Sequence, residues 1–336
     1  MAGTGKTEQS ISAATEAGFP HIYLNLSVLE APDLIGLPII SADRRVEYAI
    51  PQFMPKMDGS KPHVLIVDEI DKAKPELQNP LLELFQSHSV NGTKLNIQAI
   101  VATGNLPDEG AFSMPISHAL TNRCKCYQLT HNFDAWAEWA QEASINPLVI
   151  GFLSKNREYL SQPAVEGDPT AYCRASPRSW TMSARDLDQT SNKDSVDFQT
   201  LLVAGRVGTA AATKFRVWLD YYRHVEPIVE KLVKDGTFPS MKDMTVDKQL
   251  VCAISAVNAV AQEAKLTEAA KDKDKAIKAT QAVATKVFKW IATLPSEFQI
   301  GAVKTTLNMN MIQQNQLTKV PDVMSTYLAI RASLKG

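Results

Sequence analysis

The sequence predicts an α/β fold with a largely parallel sheet, followed by an all-helical remainder, and two observations carry that reading. Up to Leu129, short apolar runs alternate with helical patterns, the order expected when crossover helices join parallel strands. After Asn132 the apolar spacing is helical almost throughout and requires no strand.

Local signals justify each element in turn. A first helix follows Gly3-Thr4-Gly5-Lys6-Thr7; Ile11, Ala14 and Ala17 share one of its faces, and Gly18 then Pro20 stop it. His21 to Leu26, Val64 to Val67, Ala99 to Ala102 and Cys124 to Leu129 each read as strands. Two hairpins interrupt this frame. In one, Val46, Tyr48 and Ile50 alternate with Arg45, Glu47 and Ala49; in the other, Asn91-Gly92 is the preferred pair for a tight type I′ turn. A short helix from Pro115 to Asn122 precedes Arg123. Phe133, Trp136, Ala137 and Ala140 then open the helical half, where Phe215, Trp218, Tyr222 and Val225 form a stripe on one helix. Gly167-Asp168-Pro169 and Asp235 to Pro239 punctuate it. The expected divisions are 1–132, 133–235 and 240–336. Within the last, Gln262 to Lys278 is rich in Ala, Lys, Asp and Glu and reads as a solvated helix face.

Composition narrows the function classes. With 336 residues, 45% hydrophobic and 21% charged, the chain has apolar material for real cores in about two domains, and disorder is excluded for most of it. Thirty-five basic against 36 acidic side chains give a net charge of -1, so bulk charge draws the molecule to neither nucleic acid nor an anionic membrane. Four cysteines without metal-ligand spacing point to reduced thiols in a cytoplasmic protein; Cys124 and Cys126 would share one strand face as packing residues. The six histidines form no ligand or triad pattern. No apolar run is long enough to span a membrane, and the start is not that of a signal peptide.

The chemistry lies in a few tips. Gly3-Thr4-Gly5-Lys6-Thr7 matches the second half of a phosphate loop, whose backbone N–H groups cradle phosphates at a helix start, and Glu8 next to it completes the residues expected to bind the nucleotide. Lys6 would meet the β- and γ-phosphates of a nucleotide as a point charge, and the Thr7 hydroxyl would ligate Mg²⁺. The motif's first glycine and the strand that normally feeds the loop would fall before Met1. Another segment or an upstream start is therefore expected to supply that strand, since leaving its place empty would cost about 1–3 kcal/mol per unpaired buried backbone group. Val64-Leu65-Ile66-Val67-Asp68-Glu69 is a buried strand ending in two carboxylates. Asp68 is placed to hold Mg²⁺ and Glu69 to polarise an attacking water, with a solvated Asp-Glu pair as the plainer reading. Asn105, after Ala99 to Gly104, is a candidate to orient that water, or else part of an ordinary turn. Arg123 sits at a helix C-terminus, where it either offsets the dipole or reaches a neighbour's site. In Ser176-Pro177-Arg178, Ser176 fits an N-cap and Pro177 the first helical position, so Arg178 projects from a helix start.

In order along the chain, Gly3 to Thr7, Asp33-Leu34-Ile35-Gly36-Leu37-Pro38, Asp68-Glu69-Ile70-Asp71-Lys72-Ala73 with Pro75 to Asn79, Ala102-Thr103-Gly104-Asn105, Ala119 to Arg123 and Ser176-Pro177-Arg178 resemble an AAA+ ATPase of the MoxR-like (dynein-related, midasin-like) branch. The resemblance spans roughly residues 1–220 and rests on six motifs in sequence. It implies a P-loop NTPase core over 1–132 lacking its first strand, an all-α lid over 133–235, and ATP with Mg²⁺ as ligands. Lys6 and Thr7 are then Walker A, Asp68 and Glu69 Walker B, Asn105 sensor 1, Arg123 a finger acting across a subunit boundary and Arg178 sensor 2. The hairpins become inserts facing a pore or client. Members of the branch form homo-oligomeric rings, often hexamers, and remodel protein partners, commonly ones carrying a von Willebrand factor A domain. Pro80 departs from the pattern and should kink or delay its helix. Residues 240–336 match no known pattern, which by exclusion makes them a candidate for client choice.

The sequence therefore points to Mg²⁺-dependent ATP hydrolysis coupled to remodelling of a protein partner. Two alternatives stand beside it: a nucleotide-dependent binding module with little hydrolysis, motivated by the incomplete loop, and a DNA-acting motor holding nucleic acid through Lys94 or Arg44 and Arg45.

Overall fold

Helix α1 (Lys6–Glu16) begins at Gly5, whose φ of 78° is open to a glycine. It ends in a Schellman motif, in which Gly18 takes φ 73° and the Gly18 and Phe19 N–H groups donate to Thr15 O and Ala14 O. The computed structural model describes residues 3–105, 113–162, 173–191, 193–242, 244–307 and 309–333. The chain divides into two compact units, Met1–Thr130 and His131–Gly336.

In the first unit, β1 (His21–Asn25) is followed by α2 (Ala31–Ile35) and an antiparallel hairpin of β2 (Leu37–Ile40) and β3 (Val46–Ala49). Then come β4 (His63–Asp68), α3 (Pro75–Ser87), a second hairpin of β5 (Ser89–Val90) and β6 (Thr93–Lys94), β7 (Ile97–Ala102) and α4 (His118–Thr121). Asn91 and Gly92 take φ of 47° and 76°, the type I′ signature the sequence predicts. The sheet is parallel with order β1-β4-β7, pairing Asn25 with Asp68 and Val67 with Ala102. Strand polarity therefore collects Asn25, Asp68 and the tip after Ala102 at one sheet edge. Central β4 is covered on both faces. Leu65 and Val67 pack with Leu24, Leu34, Leu77 and Leu81, while Val64 and Ile66 pack under Ala14, Ile11 and Phe19 of the α1 layer.

Two expectations are corrected. Cys124 to Leu129 forms no strand, and all six residues are exposed, so Cys124 and Cys126 do not pack against a sheet. Among the described residues β7 pairs with β4 alone, and no ladder lies beside its other edge for this segment to join. Of the kink or delay expected from Pro80, the delay is overturned, since α3 starts at Pro75 with Pro80 inside it. The carbonyl of Glu76, which loses its helical donor there, belongs to an exposed residue that water can reach.

The second unit is helical as expected. It contains α5 (Phe133–Glu142), α6 (Pro147–Lys155), α7 (Pro177–Asp188), α8 (Val196–Val207), α9 (Thr209–Asp235), α10 (Val246–Ala269), α11 (Lys273–Ile291), α12 (Ser296–Thr306), α13 (Met309–Gln314) and α14 (Pro321–Ser333). Gly167-Asp168-Pro169 lies outside the described residues. Phe152 is fully buried among Phe215, Trp180 and Trp218, with ring centroids 5.2, 5.4 and 5.9 Å away. The predicted stripe on α9 contributes Phe215, Trp218 and Val225 to this core. α10 is apolar nearly all round, from Leu250 to Ala264, and Gly151 lets α6 close on it, since a Cβ there would stand 2.4 Å from Ile254 Cδ1. One apolar cluster runs from Trp136 to Val323, so residues 133–235 and 240–336 share a single core. Among the described residues no helix is long and apolar enough to cross a membrane.

Candidate active site

The loop before α1 and the tips of β4 and β7 build one polar corner. Gly3 and Gly5 take φ of 74° and 78°, a backbone that turns the chain sharply into α1. Thr7 and Glu8 lie in the first helical turn, where N–H groups have no carbonyl of the helix to meet; the Glu8 side chain is exposed. Thr4 O accepts from Gln9 Nε2 at 3.3 Å, which ties the loop to the helix.

From this loop two bonds cross to the strands. Lys6 Nζ donates to Asn105 Oδ1 at 3.0 Å, and Thr7 Oγ1 donates to Asp68 Oδ2 at 2.9 Å. Four of the predicted residues, from three separate stretches of chain, are thereby brought together. Asp68 also accepts from Tyr23 OH at 3.0 Å, from Glu69 N–H at 3.0 Å and from the Thr103 hydroxyl. Burial raises the Asp68 carboxyl pKa, but the bonds from Thr103, Thr7, Tyr23 and Glu69 N–H outweigh it and hold the group below the usual carboxylate range. The Tyr23 hydroxyl moves up through burial and the neighbouring carboxylates Asp68 and Glu69. Asp68 is thus a firm anion whose lone pairs are shared among hydroxyl donors. With Thr7 it offers the oxygen pair that suits a Mg²⁺ ion otherwise coordinated by water and phosphate. Among the described residues no group of three His, Cys, Asp or Glu side chains is placed to hold a metal.

Glu69 follows at φ 56°, a left-handed backbone uncommon for a side-chain-bearing residue, and its N–H is fixed on Asp68 Oδ1. The chain then makes a tight helical turn at Ile70–Lys72. Asp71, 1% exposed, accepts from Asn105 N–H at 3.0 Å and from Ser113 Oγ at 3.0 Å, and pairs with Lys72 Nζ at 3.1 Å. Gln78 donates to Pro115 O at 3.0 Å and accepts from Ser117 N–H at 3.0 Å, anchoring the start of α4 on α3. Arg123, just past α4, donates through Nη1 to Ala119 O at 2.7 Å and through Nε to Gln86 Oε1 at 3.0 Å. No described bond joins it to Lys6, Thr7, Asp68, Glu69 or Asn105. Arg178 belongs to the second unit. There Ser176 Oγ accepts from Ser179 N–H at 3.1 Å in the predicted N-cap, and Arg178 is exposed on the first turn of α7.

The sequence reading misses Tyr23, Thr103, Asp71 and Gln78. Tyr23 becomes a partner of Asp68 only through the β1–β4 register, which no spacing along the chain announces. Asp71 and Gln78 lie inside quoted motifs, yet their partners Ser113, Pro115 and Ser117 are distant in sequence.

A glycine-turned loop opening a helix, set against an acidic strand tip of a parallel sheet, defines a P-loop nucleotide-binding fold. Residues 1–125 match the family described as ATPase family associated with various cellular activities (AAA), which supports an AAA+ ATPase over that span. Comparison with curated proteins gives no match.

Proposed function

We propose that the chain is a Mg²⁺-dependent ATPase of the MoxR-like branch of AAA+ proteins, working in the cytoplasm as a homo-oligomeric ring, in a branch whose rings are often hexamers, to remodel a protein client. The observation that carries this reading is the double crossing from the loop to the strand tips, Lys6 to Asn105 and Thr7 to Asp68. The backbone from Gly3 to Glu8 and the Lys6 ammonium hold the nucleotide phosphates. Thr7 and Asp68 hold Mg²⁺, which when bound withdraws charge from the phosphate oxygens. Glu69 accepts the proton of the water that attacks the γ-phosphorus, and Asn105 keeps that water in line. Arg123 acts in a neighbouring subunit's site by exchanging Ala119 O and Gln86 for phosphate oxygen, and Arg178 closes from the lid, residues 133–235. The two hairpins and residues 240–336 meet the client, for which a von Willebrand factor A domain is the type expected of the branch.

The test is ATP binding and turnover side by side, with sizing in the presence and absence of nucleotide. Lys6→Ala is expected to lose binding. Glu69→Gln keeps binding, while kcat falls by about 100-fold or more, the usual worth of a general base. Full hydrolysis by Glu69→Gln removes the assigned base. Binding without turnover in the unaltered chain replaces the ATPase reading with that of a nucleotide-dependent binding module, and a monomer at all nucleotide conditions removes the ring.

A further inference from the structure

The most deeply buried charged side chain beside the site is one the scheme above does not use. Asp71 reaches out of the turn after Glu69 and takes the backbone N–H of Asn105 on Oδ1 at 3.0 Å and the Ser113 hydroxyl on Oδ2 at 3.0 Å. Its own carbonyl accepts from Met114 N–H at 2.6 Å, and the preceding Ile70 N–H donates to Thr103 O at 2.9 Å. The segment after Glu69 is therefore laced to the residues on both sides of Asn105. Gly104 shows how close this approach is. A Cβ there would stand 2.9 Å from Asp71 Oδ1 and 3.0 Å from Ile70 Cγ2, so the chain before Asn105 lies directly on the Asp71 carboxylate. Lys72 Nζ, 3.1 Å from Oδ2, offsets the buried charge.

We propose that Asp71 is a positioning residue for hydrolysis: by gripping the Asn105 N–H, it fixes the distance and angle at which the Asn105 carboxamide meets Lys6 and the reacting phosphate. The inference rests on the ATPase reading of the same site. A carboxylate accepting a backbone N–H sets the peptide plane, and with it the origin of the Asn105 side chain. Without that anchor the Lys6–Asn105 contact loses its backbone reference, although every group that touches nucleotide is still present.

The experiment compares Asp71→Ala, Asp71→Asn, Asn105→Ala and the Asp71→Ala/Asn105→Ala double variant by kcat, KM for ATP and amide exchange at Asn105. Asp71→Ala is expected to lower kcat by about 100-fold, the scale of a misplaced reacting group, with KM changed by no more than about threefold because the phosphate loop is untouched. Asp71→Asn retains an acceptor for the Asn105 N–H and restores most of kcat. The double variant is no slower than Asn105→Ala alone, because the effect of Asp71 passes through that residue. The Asn105 amide exchanges roughly tenfold faster in Asp71→Ala while Leu65 to Val67 stay protected. Additive losses in the double variant, or an unaltered kcat in folded Asp71→Ala, overturn the proposal. Should Asp71→Ala not fold, Asp71→Ala/Lys72→Met removes both charges and takes its place. Absent turnover in the unaltered chain sinks the ATPase reading by itself. The exchange arm still decides Asp71, since unchanged Asn105 protection in the variant refutes its grip.

Discussion

Asp68 and Asp71 are both held below the ordinary carboxylate range, against the upward push of burial. In Asp68 the Thr103, Thr7 and Tyr23 hydroxyls prevail; in Asp71 the Asn105 N–H, Lys72 and the Ser113 hydroxyl do. A carboxyl whose folded pKa lies below its unfolded one binds fewer protons when folded. Its contribution to stability is complete above the unfolded value and is lost as pH falls through the folded one. Acidification below about pH 4 should therefore weaken the first unit. Asp71→Asn should flatten that acid limb, because it removes a titrating group with two hydrogen-bond donors and an ion-pair partner. Thermal melts from neutral pH down to the acid limb, in the native chain and the variant, check this; parallel curves would refute it. Glu69 illustrates a different residue-scale effect, in which a left-handed backbone, costing about 1 kcal/mol or more, is accompanied by an N–H bond to Asp68 at the tip of β4.

Elements whose signals are local were legible, and those that need a neighbour were not. Ser176 illustrates the first kind: an N-cap serine before Pro177 fixes the start of α7, and with it the position of Arg178. Ser176→Ala should lower the stability of the second unit by about 1 kcal/mol, and Ser176→Asp, which keeps a capping oxygen, should recover most of it. Denaturant melts measure this, and no loss in the alanine variant would mean that the Ser179 hydroxyl, which donates to Arg174 O, holds the turn alone. The Schellman end of α1, the Asn91-Gly92 hairpin and the buried β4 were readable for the same reason, since capping groups and alternation lie within a few residues. Cys124 to Leu129 has the composition of a strand, but a strand is a pairing, and among the described residues no strand pairs with the far edge of β7. The candidate site divides the same way. Lys6, Thr7, Asp68, Glu69 and Asn105 follow from motif spacing, whereas Tyr23, Asp71 and Gln78 take their places from register and tertiary contact.

At the scale of the whole molecule, two cores of different make-up should unfold as two transitions, because the first is a three-layer α/β packing around β4 and the second one continuous helical cluster. A ligand bound by the native state raises the stability of what it contacts by RT ln(1 + [L]/Kd), about 2.7 kcal/mol at one hundred times Kd. ATP with Mg²⁺ should therefore raise the first transition through Lys6, Thr7 and Asp68. Under the proposed role of Arg178 the second unit also touches the nucleotide, so in the native chain its transition rises as well, whereas in Arg178→Ala only the first does. Scanning calorimetry with and without Mg²⁺-ATP reads both transitions at once, and Lys6→Ala, expected to move neither, serves as the reference. A second transition that rises equally with and without the Arg178 side chain would assign the coupling to other residues of the helical unit. One that never rises would leave nucleotide binding wholly to the first unit and remove Arg178 from the site.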